Sequence, residues 1–179
     1  MPAQPLFDLS HVDLSELSLT RGDIARVNPH RGDMVQLDGI YWHDPEFKRA
    51  VGVKFVRGDE FWASGHIPGK PLLPGVLMIE AAAQLSSFLY YRRSGSTVFS
   101  GFTRIEDTAF RGIVVPGDDL VILSDENKYN PKRFITRVQG LVRGDVVFEG
   151  TITGMAFPGM GEMHLPPVES RGSRPMAHH

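Results

Sequence analysis

His66 sits in a turn, Gly65-His66-Ile67-Pro68-Gly69-Lys70-Pro71, and Glu80 follows in the otherwise apolar run opened by Pro74-Gly75-Val76-Leu77-Met78-Ile79. An imidazole titrates near neutrality and suits proton abstraction around pH 7. A carboxylate in an apolar element loses hydration, the direction that favours holding a proton and then giving it up. One short segment thus supplies a base and an acid. Each residue also has a structural reading, as a hydrogen-bonded turn histidine and as a satisfied polar side chain on a buried helix. Their separation along the chain does not by itself put them in one pocket.

The elements that must position them follow from the surrounding pattern. From Pro74 to about Tyr91 turn chemistry gives way to an uninterrupted helical stretch, with Pro74 suited to the first turn because its missing N–H costs nothing there. Its few polar residues are Glu80, Gln84, Ser86 and Ser87, and the spacing puts Glu80, Gln84 and Ser87 on one face. A helix apolar on most of its circumference has to be covered nearly all round, inside a wrapping sheet or at an oligomer interface. Gly75 is the third candidate. Unpaired N–H groups and the positive dipole end at a helix start can polarise a carbonyl oxygen, and a residue without a side chain admits a ligand closely. Simple capping by Pro-Gly explains it equally well.

Two β-rich runs, Met34 to Trp42 and Phe47 to Val56, flank the His43-Asp44-Pro45 turn signal and read as a hairpin before the helix. After the Arg92-Arg93-Ser94-Gly95-Ser96 break, segments 97–110, 119–127, 133–142 and 145–157 have strand lengths and are separated by Pro116-Gly117-Asp118, Asn130-Pro131 and Gly144-Asp145. Short turns favour antiparallel pairing, so one helix between two groups of strands makes an α+β architecture. Residues 1–27 read as a leader helix or turn packed on the core, 28–157 as the domain, and 158–179 as a flexible tail without periodicity.

Composition narrows the function classes. The chain has 179 residues, 41% hydrophobic, a formal net charge of -2 and no cysteine, so one core is expected and thiol catalysis, disulfides and cysteine metal sites are excluded. No lysine/arginine block argues for nucleic acid, and neither a signal-like start nor a bilayer-length apolar run is present, which makes a cytoplasmic protein the expectation. The histidines at 11, 30, 43 and 164 lack metal-ligand spacing, and the terminal pair His178-His179 has no metal role without further ligands. Four Arg-Gly-Asp triplets, at Arg21, Arg31, Arg57 and Arg143, are ordinary turn chemistry without a fixed period.

The segment from Gly65 to Gln84 resembles the signature of the β-hydroxyacyl-acyl carrier protein dehydratases, hotdog-fold enzymes with Gly-His-Phe-Pro-Gly-x-Pro followed by Pro-Gly-Val-Leu-x-x-Glu-Ala-x-Ala-Gln. Asn28-Pro29-His30-Arg31 is similar to the family's opening Leu-Pro-His-Arg, and Phe99 to Asp118 resembles a second block ending Val-Val-Pro-Gly-Asp, so the likeness spans 28–157. The resemblance implies a hotdog fold, a long central helix wrapped by a curved antiparallel sheet, in a homodimer or an assembly of dimers. It implies two interfacial sites, with the histidine from one subunit and the acid from the other. His66 would abstract the α-proton of a (3R)-3-hydroxyacyl thioester, Glu80 would protonate the departing hydroxyl, the Gly75 N–H would hold the thioester oxygen, and Gln84 would orient the acid. Glutamate rather than aspartate at position 80 points to the branch that only dehydrates. No metal or organic cofactor is implied; the expected partner is an acyl carrier protein thioester, with no nucleic acid and no membrane insertion.

Departures are local. Gly32-Asp33-Met34 replaces the usual Tyr/Phe-Pro-Phe, and Asp107 and Ala109 stand where basic residues are common. Arg92, Arg93, Lys128, Lys132 and Arg133 are candidate contacts for an acidic carrier, or scattered surface charge. Beside ordinary fatty-acid-type synthesis stand two other readings: a dehydratase of a specialised polyketide or lipid pathway, and a non-catalytic acyl-binding hotdog module.

Overall fold

The computed structural model describes residues 3–165. Strand β1 (Leu19–Thr20) leads into helix α1 (Arg21–Ala25), and the hairpin β2 (Gly39–His43) and β3 (Arg49–Phe55) precedes helix α2 (Gly75–Ser94). Strands β4 (Ser100–Phe110), β5 (Asp119–Asn130), β6 (Arg133–Val142) and β7 (Asp145–Ala156) follow. All seven strands form one antiparallel sheet in the order β1-β2-β3-β5-β6-β7-β4.

Local chemistry explains the boundaries. In α2 the Leu77 and Met78 N–H groups donate to the Pro74 carbonyl, so Pro74 caps the helix and Gly75 is its first residue. Gly95 ends it in the left-handed conformation, and Arg92 and Arg93 in the last turn suit the negative end of the dipole. The β6–β7 hairpin turns on Arg143 and Gly144, both at positive φ, as a two-residue turn matching the sheet twist demands. The Arg143-Gly144-Asp145 triplet is therefore turn chemistry.

Burial explains the architecture. Residues 81 to 86 of α2 are buried consecutively, and Phe88 to Tyr91 repeat this, so the helix presents no solvent face over its middle. The sheet curls around it, and Leu85, Phe88, Leu37, Ile40, Ile122, Val138 and Ile152 share one core. Ala81, Ala82 and Ala83 are small enough for backbone to approach closely. Burying a side chain such as Leu85 contributes about 1.5–3 kcal/mol relative to leaving it exposed.

The first hairpin strand starts only at Gly39 rather than Met34 and the second at Arg49 rather than Phe47, and two further differences concern the ends of the domain. The 1–27 segment contributes a strand as well as a helix, because Leu19 and Thr20 pair with Ile40 and Gly39 while Ile24 enters the core. Chain contacts also run past position 157: a 3-10 turn at Pro158–Met160 brings Glu162 opposite Val98, and the Met163 N–H donates to the Thr97 carbonyl. The remainder of the expected tail, 166–179 with His178 and His179, lies outside the described residues. No described helix is long and apolar enough to cross a membrane.

Candidate active site

His66 is carried by the irregular stretch between β3 and α2. Its backbone is folded back on itself: the His66 N–H donates to the Trp62 carbonyl at 2.8 Å and the Leu72 N–H to the His66 carbonyl at 2.8 Å. Nδ1 of the ring lies 2.8 Å from the Leu72 carbonyl oxygen. A carbonyl can only accept, so Nδ1 carries a proton, and in the neutral ring it is Nε2 that holds the lone pair a base requires. The ring is exposed to solvent.

Gly75 and His66 line one groove of about 310 Å³, walled by Leu72, Val76, Phe110 and Ile113 among others. Being the first residue of α2, Gly75 has an N–H that needs no intrahelical partner. A Cβ at this position would lie 2.7 Å from the Phe110 ring, which would have to shift to admit it. The groove can take an apolar chain with a carbonyl at the helix start.

Glu80 is placed differently. Its side chain is partly buried, 17% exposed, and its carboxylate faces two partners. Gln84 Nε2 donates to Glu80 Oε1 at 2.8 Å, one helical turn on. Gln84 is itself fixed: Nε2 also donates to the Met34 carbonyl, and Oε1 accepts from the Gln36 and Leu37 N–H groups. The acid is thus held by a side chain whose own bonds are satisfied inside the protein.

The second partner is His30, whose Nε2 lies 3.4 Å from Glu80 Oε1. Burial pulls the His30 imidazole below its ordinary value, the Glu80 charge pushes back, and the neighbouring Arg31 guanidinium lowers it further. His30 is therefore biased neutral, and its buried Nδ1 has no hydrogen-bond partner. Asn28 ties this segment to α2 by donating from Nδ2 to the Gln84 carbonyl at 2.8 Å. Sequence reading missed His30 as a site residue; its place in Asn28-Pro29-His30-Arg31 was the available signal.

Within one chain the structure joins Glu80 to Gln84, and His66 to Gly75, but not the two pairs to each other. Glu80 lines a cavity of about 50 Å³ with His30, Ala83, Ser87, Phe102 and Phe134, separate from the His66 groove. Among the described residues no group of three or more His, Asp or Glu side chains could hold a metal ion.

A long central helix wrapped by a curved antiparallel sheet defines a hotdog-fold protein, here with an imidazole before the helix and a carboxylate on it. The dehydratase heterocomplex ApeI:P from Xenorhabdus doucetiae has this fold, with a TM-score of 0.65 and 16% identity, covering 76% of this chain and 92% of that one. Cj0977, a sigma28-regulated virulence protein from Campylobacter jejuni, matches with a TM-score of 0.57 and 18% identity over 78% of this chain and 93% of its own. The FabA-like domain model matches residues 28–151, and the chain belongs to that family. The 3-hydroxyacyl-acyl carrier protein dehydratases FabZ of Rickettsia africae (strain ESF-5) and Rickettsia massiliae (strain Mtu5) are each 38% identical to it over 133 residues, 71% of this chain and 88% of theirs.

Proposed function

We propose that the protein is a dehydratase that converts (3R)-3-hydroxyacyl thioesters, carried on acyl carrier protein, to trans-2-enoyl thioesters and water in fatty-acid-type biosynthesis. The observation that carries this reading is the state of His66: its Nδ1–H is committed to the Leu72 carbonyl, so Nε2 is the free acceptor, and the ring shares an apolar groove with Gly75. The named activity of the FabZ relatives supports the same chemistry.

In this mechanism the thioester oxygen sits at the Gly75 N–H, where the helix start stabilises the negative charge that develops as the α-proton leaves. Nε2 of His66 takes that proton. The electron pair forms the α,β double bond, the C3–O bond breaks, and Glu80 delivers its proton to the departing hydroxyl, which leaves as water. Gln84 keeps the carboxyl oriented, and His30 beside it is biased toward its neutral form.

Because His66 and Glu80 line separate cavities of one chain, the complete site is assembled from two copies. The surface around the His66 groove supports this: Val76, Phe110 and Ile113 are half or more exposed, and β4, which forms one margin of the sheet, exposes Phe102 and Ile105. Burying these against a second copy makes a homodimer with two sites. A cytoplasmic location is consistent with this reading.

The test is hydration and dehydration of a short enoyl or 3-hydroxyacyl thioester, on acyl carrier protein and on coenzyme A, followed through the conjugated enoyl absorbance. Wild type should turn over, while folded His66→Ala and Glu80→Gln should each lose roughly 10²–10⁴-fold in kcat, the usual contribution of a positioned acid or base. Inert wild-type protein on both carriers would overturn the proposal in favour of an acyl-binding module.

A further inference from the structure

Lys54 is the most deeply buried charge in the described chain: its side chain is 0% exposed, on β3 inside the sheet. Its Nζ donates to Glu60 Oε2 at 2.7 Å, and Glu60 itself is nearly buried. Taking two such charges out of water gains little or nothing in stability over an apolar pair of similar volume. Its place in the fold suggests what the pair does.

Residues 57–61 and 64–70 are mostly exposed, so the stretch that carries His66 has little core of its own. Besides the bonds between His66 and Leu72, a set of contacts radiating from Glu60 fixes it. Oε2 accepts from Trp62 Nε1 at 3.1 Å as well as from Lys54, Oε1 accepts from the Arg57 N–H at 2.9 Å, and the Glu60 carbonyl accepts from the Ala63 N–H. Trp62, locked at the indole and buried in the core, then offers its own carbonyl to the Gly65 and His66 N–H groups. An unbroken series of bonds runs from a sheet lysine through Glu60 and Trp62 to the backbone of the base. Burial pushes the Glu60 carboxyl up, but the bonds from Lys54, Arg57 and Trp62 and the lysine charge outweigh it and hold the group below its ordinary value.

We infer that Lys54 and Glu60 are positioning residues that aim His66 into its groove through Trp62, without touching substrate. The inference rests on His66 being the base of the proposed dehydration. Displacing a reacting group by about 1 Å can cost on the order of 10²-fold in rate. Loosening this anchor therefore acts on kcat, while the apolar groove that binds the acyl chain is left in place.

The test uses the full-length protein with Lys54→Met/Glu60→Leu, which removes both charges together, and Lys54→Arg as the conservative variant. The double variant should stay folded, lose about ten-fold or more in kcat with KM changed less than about three-fold, and Lys54→Arg should recover part of the loss. Introduced into His66→Ala, the double substitution should cost nothing further, because a residue that acts through His66 has no effect once the imidazole is gone. Loss of rate of similar size in the His66→Ala background, or unchanged kcat in the double variant, would overturn the inference. A second readout is independent of activity: the His66 Nδ1–H proton resonance, protected by the Leu72 carbonyl, should exchange faster in the double variant. Unchanged exchange would also overturn the inference, whereas inactive wild-type protein with the predicted exchange change would sink only the dehydratase reading.

Discussion

The two halves of the proposed site are built by opposite means. His66 lies exposed on an irregular segment and is held mainly through its backbone and one ring nitrogen, whereas Glu80 lies on a wrapped helix beside Gln84, whose own amide is bonded inside the protein. An exposed base on a loop is open to an incoming substrate but needs a cover to exclude water. A carboxyl set back in the fold is firmly held but needs a substrate delivered to it. Each half lacks what the other half offers, and in the proposed dimer a second copy of the chain would complete both.

The largest effect separates catalysis from stability at the exposed half. His66→Ala should lower kcat about 10³-fold while changing unfolding free energy by only about 0.5 kcal/mol, measured by turnover and denaturant titration of one preparation. The buried half should behave the other way. Gln84→Ala strips the acceptor from the Gln36 and Leu37 N–H groups and the donor from Glu80, and should destabilise the protein by about 2–4 kcal/mol. A Gln84→Ala protein as stable as wild type would erase the contrast.

Gly75→Ala is a smaller perturbation that touches the groove alone. Its new methyl meets the Phe110 ring, which is half exposed and able to swing, so kcat/KM should fall about ten-fold with stability changed by about 1 kcal/mol or less. His30→Gln probes the acid instead. It leaves a neutral polar neighbour beside Glu80, and a change of a few-fold in kcat with a displaced pH profile is expected, roughly 0.5–1 kcal/mol.

The smallest effect is in the pH dependence of folding. His30 in the folded chain lies below its ordinary value of 6.5, so the unfolded chain binds that proton more readily. Its contribution is therefore fully present above about pH 6.5 and is lost as pH falls toward the folded value. Denaturation midpoints should drop between about pH 7 and pH 5, and His30→Gln should flatten that slope.

The sequence exposed one half of this contrast more readily than the other. The helix was legible because Glu80, Gln84, Ser86 and Ser87 stand alone in an apolar run, and the strand spans because Gly, Pro, Asn and Asp punctuate them. Glu80 with Gln84 followed from their spacing. His30 did not, because the contact joins residues fifty positions apart along the chain, and no local period encodes where an irregular segment crosses a helix. Lys54 was equally silent, since a lysine in a strand usually points to solvent; only the burial of its side chain against Glu60 gives it a role. The two-residue strand β1 is too short to carry an alternation at all.

The most direct measurement of the central claim, that base and acid act across two copies, is complementation between two inactive variants. Differently tagged His66→Ala and Glu80→Gln chains are co-expressed, and the doubly tagged heterodimer is isolated and assayed on a short 3-hydroxyacyl thioester. One site of each heterodimer then pairs an intact His66 with an intact Glu80, and about half of the wild-type rate per dimer should return. A heterodimer no more active than either homodimeric variant would place both residues of each site in one subunit and contradict the account.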